Sequence, residues 1–460
     1  MAEEGARDTE QEKPPLELTD ALVAEVRDAL EADNATLAAA LATPLHPADL
    51  ADLLQLLDGE QRVRLVGAVG PLFDPDTLSH LDDHVRDELI SALGPEAVGA
   101  VIAQLETDDA VELLGDLDDQ EQQAILERLP LPERAAIEQG LAFPEYSAGR
   151  LMQREVVAVP EYWTVGQAID YLRANPDLPD EFYDIYLVDP RFRPVAVVPL
   201  SRVLRARRST LLRDLRSKEL RIVDADTDQE KVAFLFRQYG LVSAPVVGPE
   251  GRLLGVITVD DVVDVIDEEA EDDLLRLGGV SETDTFASPW RATMGRMPWL
   301  GINLMTALIS ATVISQFETA IAKLVTLAIL MPIVPSMGGN AGTQALTITV
   351  RALAVKELTA SNARRVLAKE IMVGGLNGLV FLVAGALLVT LWFQDPLLGA
   401  VFGAAMLCNL LAAGFAGVTI PFVLDRLGFD PAVSSSVFVT TITDAVGFFA
   451  FLGLAAYFLL

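Results

Sequence analysis

The chain has 460 residues, of which 67 are acidic and 34 are basic, and its formal net charge is −33. A surface this acidic repels phosphate, which argues against nucleic acid as a partner and suits either metal cations or solubility alone. A single cysteine, Cys408, excludes an intramolecular disulfide and a cysteine-based zinc site, and the presence of only three histidines argues against a transition-metal centre.

The negative charge is concentrated in the first part of the sequence. Residues 287–460 contain 7 acidic and 9 basic residues, a balance of +2, so the preceding part has 60 acids against 25 bases, a balance of −35. The N-terminus is acidic and lacks a hydrophobic core, so we expect no signal peptide and a cytosolic amino-terminal part. The composition therefore predicts a soluble acidic portion joined to a nearly neutral, apolar one.

The first 142 residues have a helical pattern. Residues 1–16 are charged and lack apolar periodicity, which predicts a disordered tail. In 17–142, apolar residues recur every three or four positions, which predicts an all-α, solenoid-like domain. Acidic residues are crowded near its end, where Asp108 and Glu112 share one helix face at i and i+4. A cation between them would relieve their repulsion, but a solvated face explains the same pattern.

Strands alternate with helices in 143–266, and their order occurs twice, in about 143–213 and 214–266. The predicted strands are 156–160, 185–189 and 193–201 in the first copy, and 220–223, 243–247 and 251–261 in the second. The pattern resembles a pair of α/β CBS domains, most specifically in Gly251–Val262, which reads Gly-x-Leu-x-Gly-Val-Ile-Thr-Val-Asp-Asp-Val. The first copy is degenerate, because 193–197 lacks the second glycine. The resemblance implies an adenine nucleotide such as ATP in the cleft, with Thr258, Asp260 and Asp261 near its ribose.

An acidic connecting helix is predicted after the second copy, within 267–297. Nine acidic residues occur between Asp260 and Asp273, and they alternate with apolar ones, which favours a helix with one acidic face. Like charges at this density oppose compact packing, and divalent cations would relieve them. The segment then continues into 288–299, whose two arginines and two tryptophans are typical of a membrane interface.

The remainder, 298–460, predicts an all-α transmembrane domain. Its five apolar segments are each close to or above the ~20 residues that span a bilayer. They are 299–316, 321–350, 371–393, 398–424 and 433–459. The second is too long for one straight span, and its Pro335–Gln344 stretch contains three glycines and four polar side chains, which must face protein or a water-filled path. The basic loop 351–369 is expected in the cytosol, which predicts five spans in the cell membrane with the N-terminus inside and the C-terminus outside.

One acid lies about halfway through the last span. A carboxylate at that depth costs about 2.5–3.5 kcal/mol on insertion scales, and such residues mark ion pathways by default. Asp444 is therefore a candidate for the wall of a pore, and Thr440 and Asn340 are polar candidates for the same wall. The alternative is a structural acid, bonded to Thr441 or to a helix end.

The order of these parts resembles the MgtE family of magnesium channels. The resemblance is most specific in Gly338–Gln344, Arg351–Ala354 and Thr441-x-Thr443-Asp444-x-x-Gly447. It implies a homodimer with the pore on its two-fold axis, in which Asp444 of each subunit holds hydrated Mg²⁺. It also implies that cytosolic Mg²⁺ closes the pore by bridging sensor acids. Those acids are Asp108, Glu112, Glu230, Asp261, Asp264, Glu269, Asp272 and Asp273.

The family pattern is incomplete after Glu230, where some members have an acid and this chain has Arg237 and Gly240. Two other hypotheses remain at this stage. In the first, the transported ion is another divalent cation such as Co²⁺ or Mn²⁺. In the second, the chain is a membrane-anchored CBS sensor of nucleotide or metal. An enzyme is not expected, because the sequence has no Ser/His/Asp or Cys/His set and no phosphate-binding loop.

Overall fold

A computed structural model describes residues 18–176, 178–179, 182–280 and 289–460. The predicted tail, 1–16, and part of the predicted connecting segment, 281–288, lie outside the described residues. The chain forms two compact units, Met1–Ile266 and Asp267–Leu460. The predicted class, an all-α domain, an α/β pair and an all-α apolar domain, is confirmed.

The first unit begins with a stack of helices around one apolar core. Local sequence sets their ends: the Asp58 side chain and Gln61 form a capping box, and Pro47 occupies the first turn of its helix, where no N–H is required. Buried leucines such as Leu30, Leu54 and Leu65 fill the core. The helices are α1 (Asp20–Glu31), α2 (Ala35–Ala42), α3 (Pro47–Leu56), α4 (Gly59–Val69), α5 (Asp83–Ile102), α6 (Thr107–Gly115), α7 (Asp119–Leu126) and α8 (Leu131–Leu141).

Two three-stranded sheets follow, and they have the same topology. In each, the first strand is parallel to the second and the second is antiparallel to the third. The fourth strand is shorter than predicted, because only Val223 and Asp224 pair with the neighbouring strand. The elements are β1 (Ala158–Pro160), α9 (Val165–Ala174), β2 (Asp184–Val188), β3 (Pro194–Pro199) and α10 (Leu200–Arg205), then β4 (Val223–Asp224), α11 (Gln229–Tyr239), β5 (Ser243–Val247) and β6 (Leu253–Thr258).

The segment that links α8 to β1 packs against the second α/β module, although the first module comes next in the sequence. The Ala148 amide donates to Thr227 O at 2.6 Å, and the Gln153 amide donates to Val256 O at 2.9 Å. A Cβ atom at Gly255 would lie 2.3 Å from Gln153 O, so only glycine allows this approach. The link therefore holds α6 close to the end of β6.

The second unit contains the apolar helices. Among the described residues, four helical segments are long and apolar enough to cross a membrane: Ala292–Ser315, Ala363–Phe393, Pro396–Leu427 and Pro431–Phe458. The helix α12 (Val259–Gly278) begins in the first unit and continues into the second. The further helices of the second unit are α13 (Pro289–Ser315), α14 (Glu318–Lys323), α15 (Thr326–Leu330), α16 (Ile333–Ala354), α17 (Ala363–Phe393), α18 (Pro396–Leu427) and α19 (Pro431–Phe458).

The predicted second span, 321–350, is divided among α14, α15 and α16. The break precedes Pro335, and the glycine-rich stretch after it is helical. Pro335 is the third residue of α16, where a backbone N–H has no intrahelical partner, so proline starts this helix without interrupting it. The glycines allow close packing: a Cβ atom at Gly342 would lie 2.6 Å from Val439 Cγ1 of α19.

Candidate metal centres

An acidic cluster lies where α6 meets the start of α12. Its helical-domain side begins with Glu106, which precedes α6 and accepts a hydrogen bond from Gln153 Nε2 at 2.6 Å. In the first turn of α6, Thr107 Oγ1 donates to Glu155 Oε1 at 2.7 Å. These bonds fix the start of α6 against the second module, so that carboxylates from both sides interact. We define the acidic cluster as Glu106, Asp108, Asp109, Glu155, Asp260 and Asp261.

Two of the predicted sensor acids face each other in this cluster. Asp108 is only 8% exposed, and its burial together with the Asp261 carboxyl raises its pKa well above the usual value. Burial and Asp260 raise the pKa of Asp261 to about 7, although Thr258 donates to its carboxylate from Oγ1 at 2.7 Å and from its amide at 3.3 Å. Paired carboxylates in such a site need a proton or a cation between them.

Glu112, one turn after Asp108, has a different environment. Arg86 is buried, and its Nη1 lies 4.0 Å from Glu112 Oε1. The same guanidinium pairs with Asp116. The charge of Glu112 is therefore met by an arginine of the helical domain, and the structure places Asp108, not Glu112, opposite Asp261.

The remaining predicted sensor acids are spread along α11 and α12. Glu230 is exposed in the first turn of α11, and Asp264 is exposed on α12. Farther along α12, Asp272 pairs with Arg276, and Asp273 interacts with Glu269. Within the part of the chain that the structure describes, no three His, Cys, Asp or Glu side chains converge as a site for a metal ion.

The cleft of the α/β pair is nearly filled by its own side chains. Tyr186 Oη and Ser243 Oγ are 2.5 Å apart, and Ser243 donates to Asp184 Oδ2 at 2.7 Å. Thr258 lines the cleft, whose cavity has a volume of about 20 Å³. Ligand pockets are usually about 300–1,000 Å³, so a nucleotide requires this cleft to widen. The other two residues predicted near the nucleotide, Asp260 and Asp261, are part of the acidic cluster.

In the second unit, Asp444 lies half-buried near the middle of α19. The neighbouring hydroxyls do not donate a hydrogen bond to its carboxylate, because Thr440 Oγ1 donates to Ser436 O at 2.9 Å and Thr441 Oγ1 donates to Val437 O at 2.6 Å. Among the described residues, none forms a hydrogen bond or an ion pair with Asp444. The interpretation of Asp444 as a structural acid bonded to Thr441 therefore has no contact to support it.

The predicted pore residues lie on two helices that pack against each other, Asn340 on α16 and Thr440 and Asp444 on α19. A Cβ atom at Gly339 would be 3.9 Å from Thr443 Oγ1, so these two positions are neighbours across the two helices. Asn340 follows Gly339 and Asp444 follows Thr443 in sequence, and Asn340 and Thr440 are both exposed on the single chain. The candidate site is therefore open on one side.

Two residues at these sites were missed by sequence reasoning. Asn409 is fully buried in α18, and a polar side chain inside an apolar run was the available signal. Asp430 accepts a hydrogen bond from the Ala432 amide at the start of α19, and the Asp-Pro pair of this helix cap was the signal.

Three family models match the sequence. The MgtE model, described as a divalent cation transporter, matches residues 331–454. The model of the MgtE intracellular N domain matches 45–146. The CBS domain model matches 212–268.

Two curated relatives and one solved structure are similar over long stretches. The magnesium transporter MgtE of Enterococcus faecalis is 34% identical over 327 residues, 71% of this chain and 72% of that protein. The magnesium transporter MgtE of Thermus thermophilus is 37% identical over 328 residues, 70% of this chain and 72% of that protein. The cytosolic domain of the Mg²⁺ channel MgtE in complex with ATP is 32% identical, with a TM-score of 0.50 over 53% of this chain and 99% of that chain.

Proposed function

Because this chain belongs to the MgtE family of divalent cation transporters, we propose that it conducts Mg²⁺ across a cell membrane and is closed by Mg²⁺ on the cytosolic side. The activity is transport rather than catalysis. The observation that carries the proposal is Asp444, an acid in an apolar helix with no bonded partner among the described residues, next to the α16–α19 contact. An unpaired carboxylate at this depth is costly unless an ion uses it.

The chemistry of Mg²⁺ suits this site. The ion gives up its inner water reluctantly and is held through few carboxylates and its own hydration shell. In this scheme Asp444 supplies the charge, and Asn340 and Thr440 hydrogen-bond the outer waters. The exposure of Asn340 and Thr440 on a single chain supports a homodimer, in which a second copy faces this surface and closes the path.

The cytosolic sensor is proposed at the acidic cluster. Asp108 and Asp261 are its centre, because the buried carboxyl of Asp108 faces the partly buried carboxyl of Asp261 and the described contacts place no basic side chain between them. Mg²⁺ bound there would hold the helical domain against the second α/β module, and its loss would let the two repel. Asp264, Glu269, Asp272 and Asp273 on α12 and Glu230 on α11 are further candidates. Glu112 contributes least, since Arg86 meets its charge.

The protein is a multi-pass membrane protein, and its orientation is part of the proposal. Four apolar helices together with the α14–α16 segment give five crossings, with the N-terminus in the cytosol and the C-terminus outside. The basic residues between α16 and α17 support this orientation, because such loops remain in the cytosol. Lipid then surrounds the exposed apolar side chains of α13 and α17.

ATP is a further ligand to test, because the similar cytosolic domain was solved with it. Thr258 lines the cleft of the α/β pair, whose cavity volume of about 20 Å³ requires the cleft to open before a nucleotide enters.

The test is Mg²⁺ flux into liposomes that contain the full chain, beside Asp444→Ala, with Mg²⁺ absent or millimolar at the cytosolic face. We expect flux that requires Asp444 and falls when cytosolic-face Mg²⁺ is present. Faster flux of Co²⁺ or Mn²⁺ than of Mg²⁺ would assign another cargo. Absence of flux in the folded wild-type protein would favour a membrane-anchored sensor.

A further inference from the structure

Asn409 joins the two helices that carry the predicted pore residues. It lies in α18 and is fully buried. Its Nδ2 donates to Val334 O, in the first turn of α16, at 2.8 Å. Its Oδ1 has no hydrogen-bond partner among the described residues. Burial of an amide in an apolar domain costs free energy, so we expect this side chain to do more than fill space.

Glycines on both neighbouring helices make room for this amide. A Cβ atom at Gly338 of α16 would lie 2.1 Å from Asn409 Nδ2, and one at Gly447 of α19 would lie 2.9 Å from the same atom. The Gly447 Cβ would also lie 3.1 Å from Pro335 Cα. The three helices therefore meet around one side chain, and a side chain at either glycine would displace the amide of Asn409.

The positions of these glycines connect Asn409 to the ion path. Gly338 precedes Asn340 by two residues, and Gly447 follows Asp444 by three. The hydrogen bond to Val334 is directional, so it fixes both the rotation of α16 and its height along α18. An apolar side chain of similar volume would fill the space without fixing the rotation or the height of α16. The rotation of α16 relative to α19 decides whether Asn340 and Asp444 line the same path.

We propose that Asn409 is a positioning residue of the ion path: its amide, seated against Gly338 and Gly447, sets the arrangement of α16 and α19 that presents Asn340 and Asp444 to one ion. This inference rests on the proposed transport function. Asn409 itself does not touch the ion in this scheme.

The first test is a double-mutant cycle in thermal stability, which does not depend on transport. The variants of the full chain are Asn409→Ala, Gly338→Ala and both together, with Gly301→Ala as the control because nothing lies within 4 Å of a Cβ there. If Asn409 occupies the space at Gly338, Gly338→Ala lowers the unfolding temperature much less in the Asn409→Ala background. An equal decrease in both backgrounds would overturn the contact. Should Asn409→Ala not fold, Asn409→Ser provides the same cycle with a smaller polar side chain.

The second test is ion flux and selectivity in liposomes. Loss of a residue that positions a metal ligand typically reduces activity by about 10–100-fold, so we expect Asn409→Ala to lower Mg²⁺ flux by about tenfold or more. We also expect a changed ratio of Mg²⁺ to Mn²⁺ flux, which a loss of folded protein alone would not produce. An unchanged ratio would overturn the positioning role. If the wild-type protein carries no flux, the proposed function fails, while the stability cycle still decides the contact.

Discussion

Arg276 Nη1 lies 2.5 Å from Asp430 Oδ2, so the last turn of α12 is paired with the residue that caps α19. Arg276 also pairs with Asp272 on its own helix, and Asp273 lies close enough to Asp430 for the two carboxylates to repel. One guanidinium thus compensates acids on both helices. The end of the acidic helix is thereby linked to the start of the helix that carries Asp444.

We predict that Arg276→Ala and Asp430→Asn each weaken closure by Mg²⁺. Asparagine is also a good helix cap, so Asp430→Asn removes the ion pair while keeping the start of α19. Partly exposed ion pairs contribute up to about 1 kcal/mol, a factor of about five in an equilibrium. The Mg²⁺ concentration that halves flux should therefore rise by no more than about fivefold.

The measurement is liposome flux as a function of Mg²⁺ at the cytosolic face. A control is Arg134→Ala, which removes an exposed ion pair with Glu138 in the helical domain. If Arg276→Ala and Asp430→Asn close at the same Mg²⁺ concentration as the wild type, the pair plays no part in gating.

Asp108→Asn should make the protein less dependent on Mg²⁺. Removing one of two facing carboxylates relieves their repulsion, so the variant should unfold at a higher temperature than the wild type without Mg²⁺. It should also gain less stability when Mg²⁺ is added, because ligand stabilisation requires the site. Thermal unfolding of the detergent-solubilised chain, with and without Mg²⁺, measures both effects.

Glu112→Gln is the matched comparison, because it lies one turn away and faces Arg86. This variant should keep the Mg²⁺ response of the wild type. An equal loss of response in both variants would mean that the two acids act together, as the spacing on α6 suggests.

Asp444→Asn should abolish Mg²⁺ flux without lowering stability. The described residues provide no bonded partner for this acid, so neutralising it removes a desolvation cost and leaves no group unpaired. Asp395→Ala is the contrasting variant, because Asp395 caps α18 through the Leu397 and Leu398 amides. That change should cost about 1 kcal/mol. A marked fall in the unfolding temperature of Asp444→Asn would reveal a structural role.

Gly417→Ala should destabilise the apolar unit. A Cβ atom there would lie 2.7 Å from Ala345 Cβ and 2.9 Å from Gly342 O, and a backbone oxygen in a helix has little freedom to move. Overpacking of this kind costs about 1–3 kcal/mol. Gly453→Ala is the control, because its Cβ would be in ordinary contact with Phe317, at 3.7 Å. Equal unfolding temperatures for the two variants would contradict this packing.

Residue type and periodicity by themselves determined how this protein is divided into an acidic helical part, an α/β part and an apolar part. The excess of acids before residue 287, the alternation of strands and helices in 143–266 and the isolated Asp444 are properties of short stretches, because hydrophobic periodicity and the cost of burying charge act locally. The same local rules placed Ser243–Val247 as a strand and the acidic run after Asp260 on a helix.

Only the tertiary structure decided which of these residues meet. Asp108 and Asp261 are 153 positions apart, and they face each other because the link from α8 packs on the second α/β module. Asn409 reaches Val334 across 75 positions because glycines allow three helices to approach. Such contacts depend on the packing of whole elements, which no local pattern specifies. They place Arg86 beside Glu112 but Asp261 opposite Asp108.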